Sequence, residues 1–324
     1  MINYWFSKNY LTGGNIYNHM AFAALQERGF QPVSRKAFTS YRGKGHSYLN
    51  ACYTYLALSS RTTDLNILDY GAATCCSSRI RGKRILIMFH FDPAETRKKR
   101  IYQFYFDRFR HNARDAKVVV IARHWKEFLE MKGFRDLEII YPAYDVDKYQ
   151  PYHSREAFLH EHALPDRPIV YLGKNSRPKT GNTYQQLRPL ADRFLLITSG
   201  PKREFEGPVN LDLNFKAYCS LLHHSAVTVT MPQFDEGWSR IAHESVICGT
   251  PVIGNGRGGM AELLRNTHQR ILPETEPERL VHEIEEIVST GRRVPEEDRA
   301  FAGTFNLKYF ADRWTEVVRE MADR

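Results

Sequence analysis

Two runs of alternating strand-like and helix-like segments, separated by a single interruption, constrain the fold of this chain more than any other feature. In the first run, strands are expected at 2–6 (INYWF), 66–70 (NILDY), 84–90 (RILIMFH), 116–122 (AKVVVIA) and 137–142 (LEIIYP), with helices between the last three. Residues 13–30 read as a glycine turn and a helix, since Ile16, Met20, Ala23 and Ala24 recur at helical spacing and Gly29 is placed to cap it. The stretch 141–158 has two prolines, several tyrosines and no period, and is read as an interdomain linker. Strands then return at 168–173, 194–200, 209–213, 226–231 and 250–255, with helices at 214–223, 239–248, 258–265 and 275–289. A last helical stretch, 307–321, carries Tyr309, Phe310, Trp314, Val317 and Val318 at near-helical spacing. Strands alternating with helices imply parallel sheets wrapped by helices, here as two successive α/β units. Such units leave a cleft, and ligands of open α/β sheets bind beyond the carboxyl ends of the strands. The expected division is 1–146, 147–305, and a closing helix, 306–324, that returns to the first domain.

Composition agrees with two globular domains. The chain has 324 residues, 42% hydrophobic and 26% charged, too long for one compact core and too apolar for disorder. No apolar run approaches a bilayer span, and the amino terminus lacks a basic region followed by a long apolar stretch. The expected location is cytoplasmic, with a peripheral position at the inner membrane face left open. Cys52, Cys75, Cys76, Cys219 and Cys248 are odd in number and fit no metal-ligand spacing, which favours reduced, buried thiols. The formal charge of +9 is uneven: residues 1–146 carry +11 and residues 147–324 carry −2. A basic first half implies an anionic contact. Its most unusual stretch is 95–114, ETRKKRIYQFYFDRFRHNAR. That stretch reads either as a helix with an aromatic core face and a solvated basic face, or as a surface for anionic membrane or an anionic acceptor.

The stretch from Phe234 to Leu263, FDEGWSRIAHESVICGTPVIGNGRGGMAEL, concentrates the candidate chemistry. Glu236 follows a strand and its loop, and Glu244 lies roughly two helical turns further on. Carboxylates that far apart suit two separate groups of hydroxyls better than acid–base work on one bond. Gly258 and Gly259 open a helix whose free N–H groups can hold a carboxylate or phosphate. Alone, each acid reads more simply as a stabilising residue near a helix start.

The same stretch resembles the signature of family 4 retaining glycosyltransferases, with Glu236, Gly237, Glu244, Gly249, Pro251, Val252, Gly258, Gly259 and Glu262 on its fixed positions. The resemblance implies a GT-B type fold, with two Rossmann-like domains facing across a cleft. It also implies that Glu236 contacts the donor sugar, Glu244 the ribose, and the backbone at Gly258, Gly259 and Met260 the sugar or diphosphate. YLGKNSRPKTG (171–181) resembles the segment whose basic pair neutralises the diphosphate. Lys174 and Lys179 match by position, Arg177 competes for the role, and the spacing carries one extra residue before Gly181. Gly13 and Gly14 match the family's amino-terminal glycine loop, and His90 matches a strand-end histidine near the sugar. Ser239, Arg240 and Arg257 depart from the pattern.

The implied activity is transfer of a hexose-type unit from a nucleoside diphosphate sugar to the hydroxyl of a sugar, lipid-linked or small-molecule acceptor, with retention. His90, Glu236 and Lys179 are the expected catalytic residues. No Asp-x-Asp stands at a strand end, so neither a metal nor another cofactor is expected. Peripheral contact with anionic membrane through the basic first domain stays open, and no nucleic acid is expected as a partner. The alternatives are a non-catalytic nucleotide-sugar or polyanion-binding protein on the same scaffold, and a sugar-nucleotide epimerase.

Overall fold

The computed structural model of the protein describes residues 1–6, 13–36, 65–75, 82–91 and 99–324. The chain forms two compact units, Met1–Ala143 together with Phe305–Arg324, and Tyr144–Thr304. The first boundary falls three residues before the one read from the sequence. Tyr144 stacks on His243 with ring centroids 4.1 Å apart, so packing assigns it to the second unit.

In the first unit, β1 (Ile2–Phe6), β2 (Pro32–Lys36), β3 (Leu65–Leu68), β4 (Lys83–Met88), β5 (Lys117–Val120) and β6 (Leu137–Ile139) form one sheet in the order β2-β1-β3-β4-β5-β6. Every pairing is parallel. β3, β5 and the last four residues of β4 are buried, as expected of strands covered on both faces. β2 was not apparent in the sequence. It begins with proline and is largely polar, a composition that an edge strand tolerates because one side of its ladder is unpaired.

The Leu307–Asp323 helix belongs to this unit, as the sequence predicted. Asn306 caps it by accepting from the Tyr309 N–H at 2.9 Å. Its apolar stripe buries Phe310, Trp314, Val317 and Val318. Phe310 meets Tyr17 of the Gly13–Glu27 helix edge to face at 5.0 Å. Tyr17 in turn donates its hydroxyl to the Ile140 carbonyl at 3.0 Å. The Lys99–Asn112 helix shows how its own part of 95–114 is arranged. Phe106 and Phe109 are core, while Arg110 and His111 face solvent. Phe104, 59% exposed, breaks the division. Residues 95–98 lie outside the described residues, as do Cys52 and Cys76.

In the second unit, β7 (Ile169–Lys174), β8 (Leu195–Ser199), β9 (Val209–Leu211), β10 (Ser225–Thr230), β11 (Val252–Gly254) and β12 (Arg270–Ile271) run β12-β11-β10-β7-β8-β9. This is the doubly wound order, with the direction of winding reversing between β7 and β10. The core joins Val170, Leu172, Leu196, Val227 and Ile253 to Leu280, Ile284 and Ile287 of the Pro277–Thr290 helix. Buried Cys219 and Cys248 are free thiols, and burial pushes the Cys219 thiol up to about 12. The supposed linker 141–158 is partly structured. Val146–Lys148 forms a 3-10 turn, and the Arg155–Glu161 helix is capped by Ser154, whose Oγ accepts from the Ala157 N–H at 3.2 Å. The Asn182–Leu187 and Glu296–Gly303 helices were also unforeseen; both are short. No helix among the described residues is long and apolar enough to cross a membrane.

Candidate functional site

The point where winding reverses is where ligands of open α/β sheets bind, because adjacent loops diverge there and expose the carboxyl ends of two strands. In the second unit those strands are β7 and β10. The segment after β7 supplies Lys179, and the segment after β10 supplies Glu236. The two meet in an ion pair, Lys179 Nζ donating to Glu236 Oε1 at 2.6 Å. Glu236 is 6% exposed, and the lysine ammonium also lies 5.4 Å from the centre of the Phe234 ring.

Lys179 arrives there by an unusual turn. Arg177–Gly181 is one turn of π-helix, which takes one more residue per turn than an α-helix. The extra residue noted before Gly181 is accommodated in this way. Thr180 pins the turn by donating its hydroxyl to the carbonyls of Leu172 at 3.1 Å and Lys174 at 2.7 Å. Asn175, fully buried, holds the neighbouring loop by accepting from the backbone N–H groups of Glu204 and Phe205. Lys174 and Arg177 are exposed, and the backbone N–H of Arg177 donates to Glu204 Oε2 at 3.1 Å.

Glu236 is also held through its backbone. It forms a parallel bridge with Gly258, and the Gly259 N–H donates to the Glu236 carbonyl at 2.9 Å. Gly258 has φ +65°, and a Cβ there would lie 2.2 Å from the Glu236 carbonyl oxygen. This corrects the expectation of a free N–H group at Gly259. The Gly259 amide is used within the protein, and the pair lets two backbone segments touch. The Met260 side chain points into the core. It is fully buried, with its sulfur where a Cβ on Gly254 would come within 3.0 Å. Arg257, beside the pair, is taken by Asp235 at 3.1 Å.

Glu244 is 7% exposed and lies within the Arg240–Ile247 helix. Its Oε1 accepts from the Tyr149 hydroxyl at 3.1 Å and from Arg240 Nη2 at 3.0 Å; its Oε2 accepts from the Tyr218 hydroxyl at 2.6 Å. A carboxylate offers about four lone-pair sites, so one further donor can be received. Burial, then the Glu244 charge, drives the Tyr149 and Tyr218 phenols far above their ordinary range, so both stay protonated donors. Burial pulls the Arg240 guanidinium down, but Glu244 more than restores it. Arg240 also lies over the Tyr144 ring at 4.8 Å.

Sequence reasoning missed Tyr149, Tyr218, Trp238 and His243. Arg240 was noticed only as a departure, although its place four residues before Glu244 is a recognisable helical ion-pair spacing. His243 ties the loop after β10 to the Glu296–Gly303 helix. The Trp238 indole N–H donates to its Nδ1 at 3.1 Å, and Nε2 lies 2.9 Å from the Ala302 carbonyl. Nε2 must therefore carry the single proton, and a second proton on Nδ1 would break the tryptophan bond.

Burial lowers the pKa of His243 to about 3, the Ala302 carbonyl opposing and Arg240 adding to the shift. With 6.5 for the unfolded chain, the unfolded state takes up this proton first. The contribution of His243 is complete above about 6.5 and declines by about 1.4 kcal/mol per pH unit as pH falls toward 3. Between pH 7.5 and 5, urea unfolding should show about 2 kcal/mol of lost stability that His243→Phe does not lose. Equal slopes in the two proteins would assign the acid sensitivity elsewhere.

In the first unit, Gly13 and Gly14 begin the Gly13–Glu27 helix, and His90 is exposed just beyond the carboxyl end of β4. A Cβ on Gly14 would come 3.0 Å from the Phe89 ring, so the glycine lets the helix start approach the strand end beside His90. The structure thus groups these three residues at one edge of the first sheet. Separately, it groups Lys174, Arg177, Lys179, Glu236, Glu244, Gly258 and Gly259 around the reversal of the second.

No protein-family profile matches the chain, and no curated protein matches it in sequence. Solved structures do resemble it. Sucrose-phosphate synthase from Thermosynechococcus elongatus superposes with a TM-score of 0.81 at 14% identity, over 99% of this chain and 98% of that one. HepE from Anabaena, solved in complex with UDP-glucose, gives 0.76 at 13% identity over 98% and 99%. WaaG, a glycosyltransferase involved in lipopolysaccharide biosynthesis, gives 0.74 at 12% identity over 98% and 99%. At these identities the likeness establishes the fold, two Rossmann-like domains of GT-B type.

Proposed function

We propose that the protein is a retaining glycosyltransferase of the family 4 type, moving a sugar from a nucleoside diphosphate sugar to an acceptor hydroxyl. The observation that carries this reading is the Lys179–Glu236 pair, set where β7 and β10 diverge and braced by the Glu236–Gly258 bridge. A paired cation and anion at that place match a donor with an anionic diphosphate beside neutral hydroxyls. The likeness to HepE, solved with UDP-glucose, favours a nucleotide sugar over other phosphorylated ligands.

In this reading Lys179, with Lys174 and Arg177 beside it, neutralises charge that grows on the departing diphosphate. Electrostatic stabilisation of this kind commonly contributes more to rate than any other single effect. Glu236 accepts hydrogen bonds from sugar hydroxyls and fixes the reacting carbon. Glu244, with one acceptor site left, takes a single ribose hydroxyl. Glu236 is already paired with Lys179, which favours a front-face displacement over covalent attack by its carboxylate. In that displacement the bond from the anomeric carbon to the leaving oxygen breaks as the acceptor oxygen attaches, and the acceptor proton passes to the departing phosphate. The basic groups serve where other enzymes use a divalent ion, so turnover should survive chelator.

A thermal-shift screen with UDP-, GDP-, ADP- and dTDP-sugars tests the reading. One nucleotide should stabilise the protein, and Lys179→Ala should abolish the shift. An unchanged melting temperature with every nucleotide would defeat the proposal. Release of an epimerised nucleotide sugar without acceptor would replace it.

A further inference from the structure

At the amino-terminal ends of β5 and β6 the first unit carries a pocket of about 690 Å³, lined by Arg110, Arg114 and Arg135 over Phe134, with His111 beside them. Two helix ends build it. The Lys99–Asn112 helix is anchored where Asn112, buried, donates to the Ala73 carbonyl at 2.9 Å. The Arg123–Met131 helix ends in a turn at Gly133, whose φ of +83° sends the chain back into β6. The Arg110 guanidinium lies against Gly133, with Nη2 3.6 Å from the position a Cβ would take, an ordinary van der Waals separation. Phe134 makes a fixed floor, tilted against Phe106 at 6.0 Å and Phe109 at 5.9 Å.

The charge of this pocket is not balanced from within. Of its two carboxylates, Asp136 is taken by Lys117 at 2.9 Å and by Arg324. Asp107 accepts from Gln103 at 2.9 Å on the helix surface. Arg110, Arg114 and Arg135 form no ion pair or hydrogen bond with any described residue. Three arginines lining one pocket give it a positive face that an anion complements. The planar fork of arginine suits phosphate oxygens in particular. The volume lies within the range of small-molecule sites, about 300–1,000 Å³.

We propose that this pocket binds a phosphate-bearing group through Arg110, Arg114 and Arg135. It lies at the edge of the sheet opposite the carboxyl ends of β5 and β6, and so apart from Gly14 and His90. The inference does not depend on the transfer reaction proposed above. The group is a phosphomonoester or diphosphate, either free in solution or displayed as a lipid headgroup.

Arginine modification by phenylglyoxal, read peptide by peptide by mass spectrometry on the full chain, tests this without interference from other anion sites. Saturating pyrophosphate, or vesicles of phosphatidylcholine with phosphatidic acid, should slow modification of Arg110, Arg114 and Arg135 about tenfold, the change that 1.4 kcal/mol of protection produces. Exposed Arg188 and Arg265 should react unchanged. Protection by pyrophosphate identifies a free ligand. Protection by the phosphatidic acid vesicles alone, lost in flotation of Arg114→Ala/Arg135→Ala but not of Arg188→Ala/Arg265→Ala, identifies a headgroup. Equal modification rates under all conditions, or equal protection at Arg188 and Arg265, would overturn the proposal.

Discussion

Gly258→Ala should cost about 3–5 kcal/mol of stability, through overpacking against backbone as well as an unfavourable φ. The new Cβ would lie 2.2 Å from the Glu236 carbonyl oxygen, 2.7 Å from its nitrogen and 2.9 Å from the Asp235 carbonyl carbon. All three atoms are backbone, so no side-chain rotation relieves the clash, and the Glu236–Gly258 bridge must open. Gly291→Ala is the control. Gly291 has nearly the same dihedral, φ +61°, but nothing within 4 Å of its Cβ position. It should lose only the about 1–2 kcal/mol of left-handed strain. Urea unfolding of both variants separates the steric clash from the backbone strain. Equal losses would mean that the two segments do not touch.

Glu236→Gln should lower kcat about 10²–10³-fold with the best donor from the screen, the usual loss when one preorganised polar group at a reacting centre is removed. The substitution keeps the shape and leaves Lys179 without its anion, so the protein should remain folded. Donor affinity should change less than turnover, because the freed lysine still meets the diphosphate. Steady-state kinetics with a fixed acceptor decides the matter. Turnover within twofold of wild type would remove Glu236 from the chemistry and leave the ion pair with Lys179 a structural one.

The candidate site was legible in the sequence where its residues lie close together in one motif. Glu236, Gly237, Glu244 and the Gly258–Gly259 pair fall within a single strand–helix–strand–turn, so the resemblance to one family signature marks them together. The extra residue before Gly181 was visible as a count but not as a π-turn, because hydrogen bonds from Thr180 to Leu172 and Lys174 choose that geometry. The free amide expected at Gly259 was wrong for a comparable reason. What the Gly259 N–H meets depends on a segment more than twenty residues earlier. Tyr149 was invisible as a partner of Glu244, since it sits in a stretch without periodicity, 95 residues away in sequence.

By itself, the sequence determined that the protein is two α/β units with a returning helix. Period-two and helical patterns are local properties, and burial on both faces of a parallel sheet leaves continuous apolar runs that turns punctuate. Tertiary structure alone decided which polar groups meet. Lys179 reaches Glu236 only because winding reverses between β7 and β10, Glu244 is met by Tyr149 and Tyr218 from outside its own helix, and three arginines line one pocket where two helices end. Hydrogen bonds and ion pairs act over a few ångströms, so they are set by which chain segments the fold makes neighbours, a relation that residue spacing along the chain does not encode.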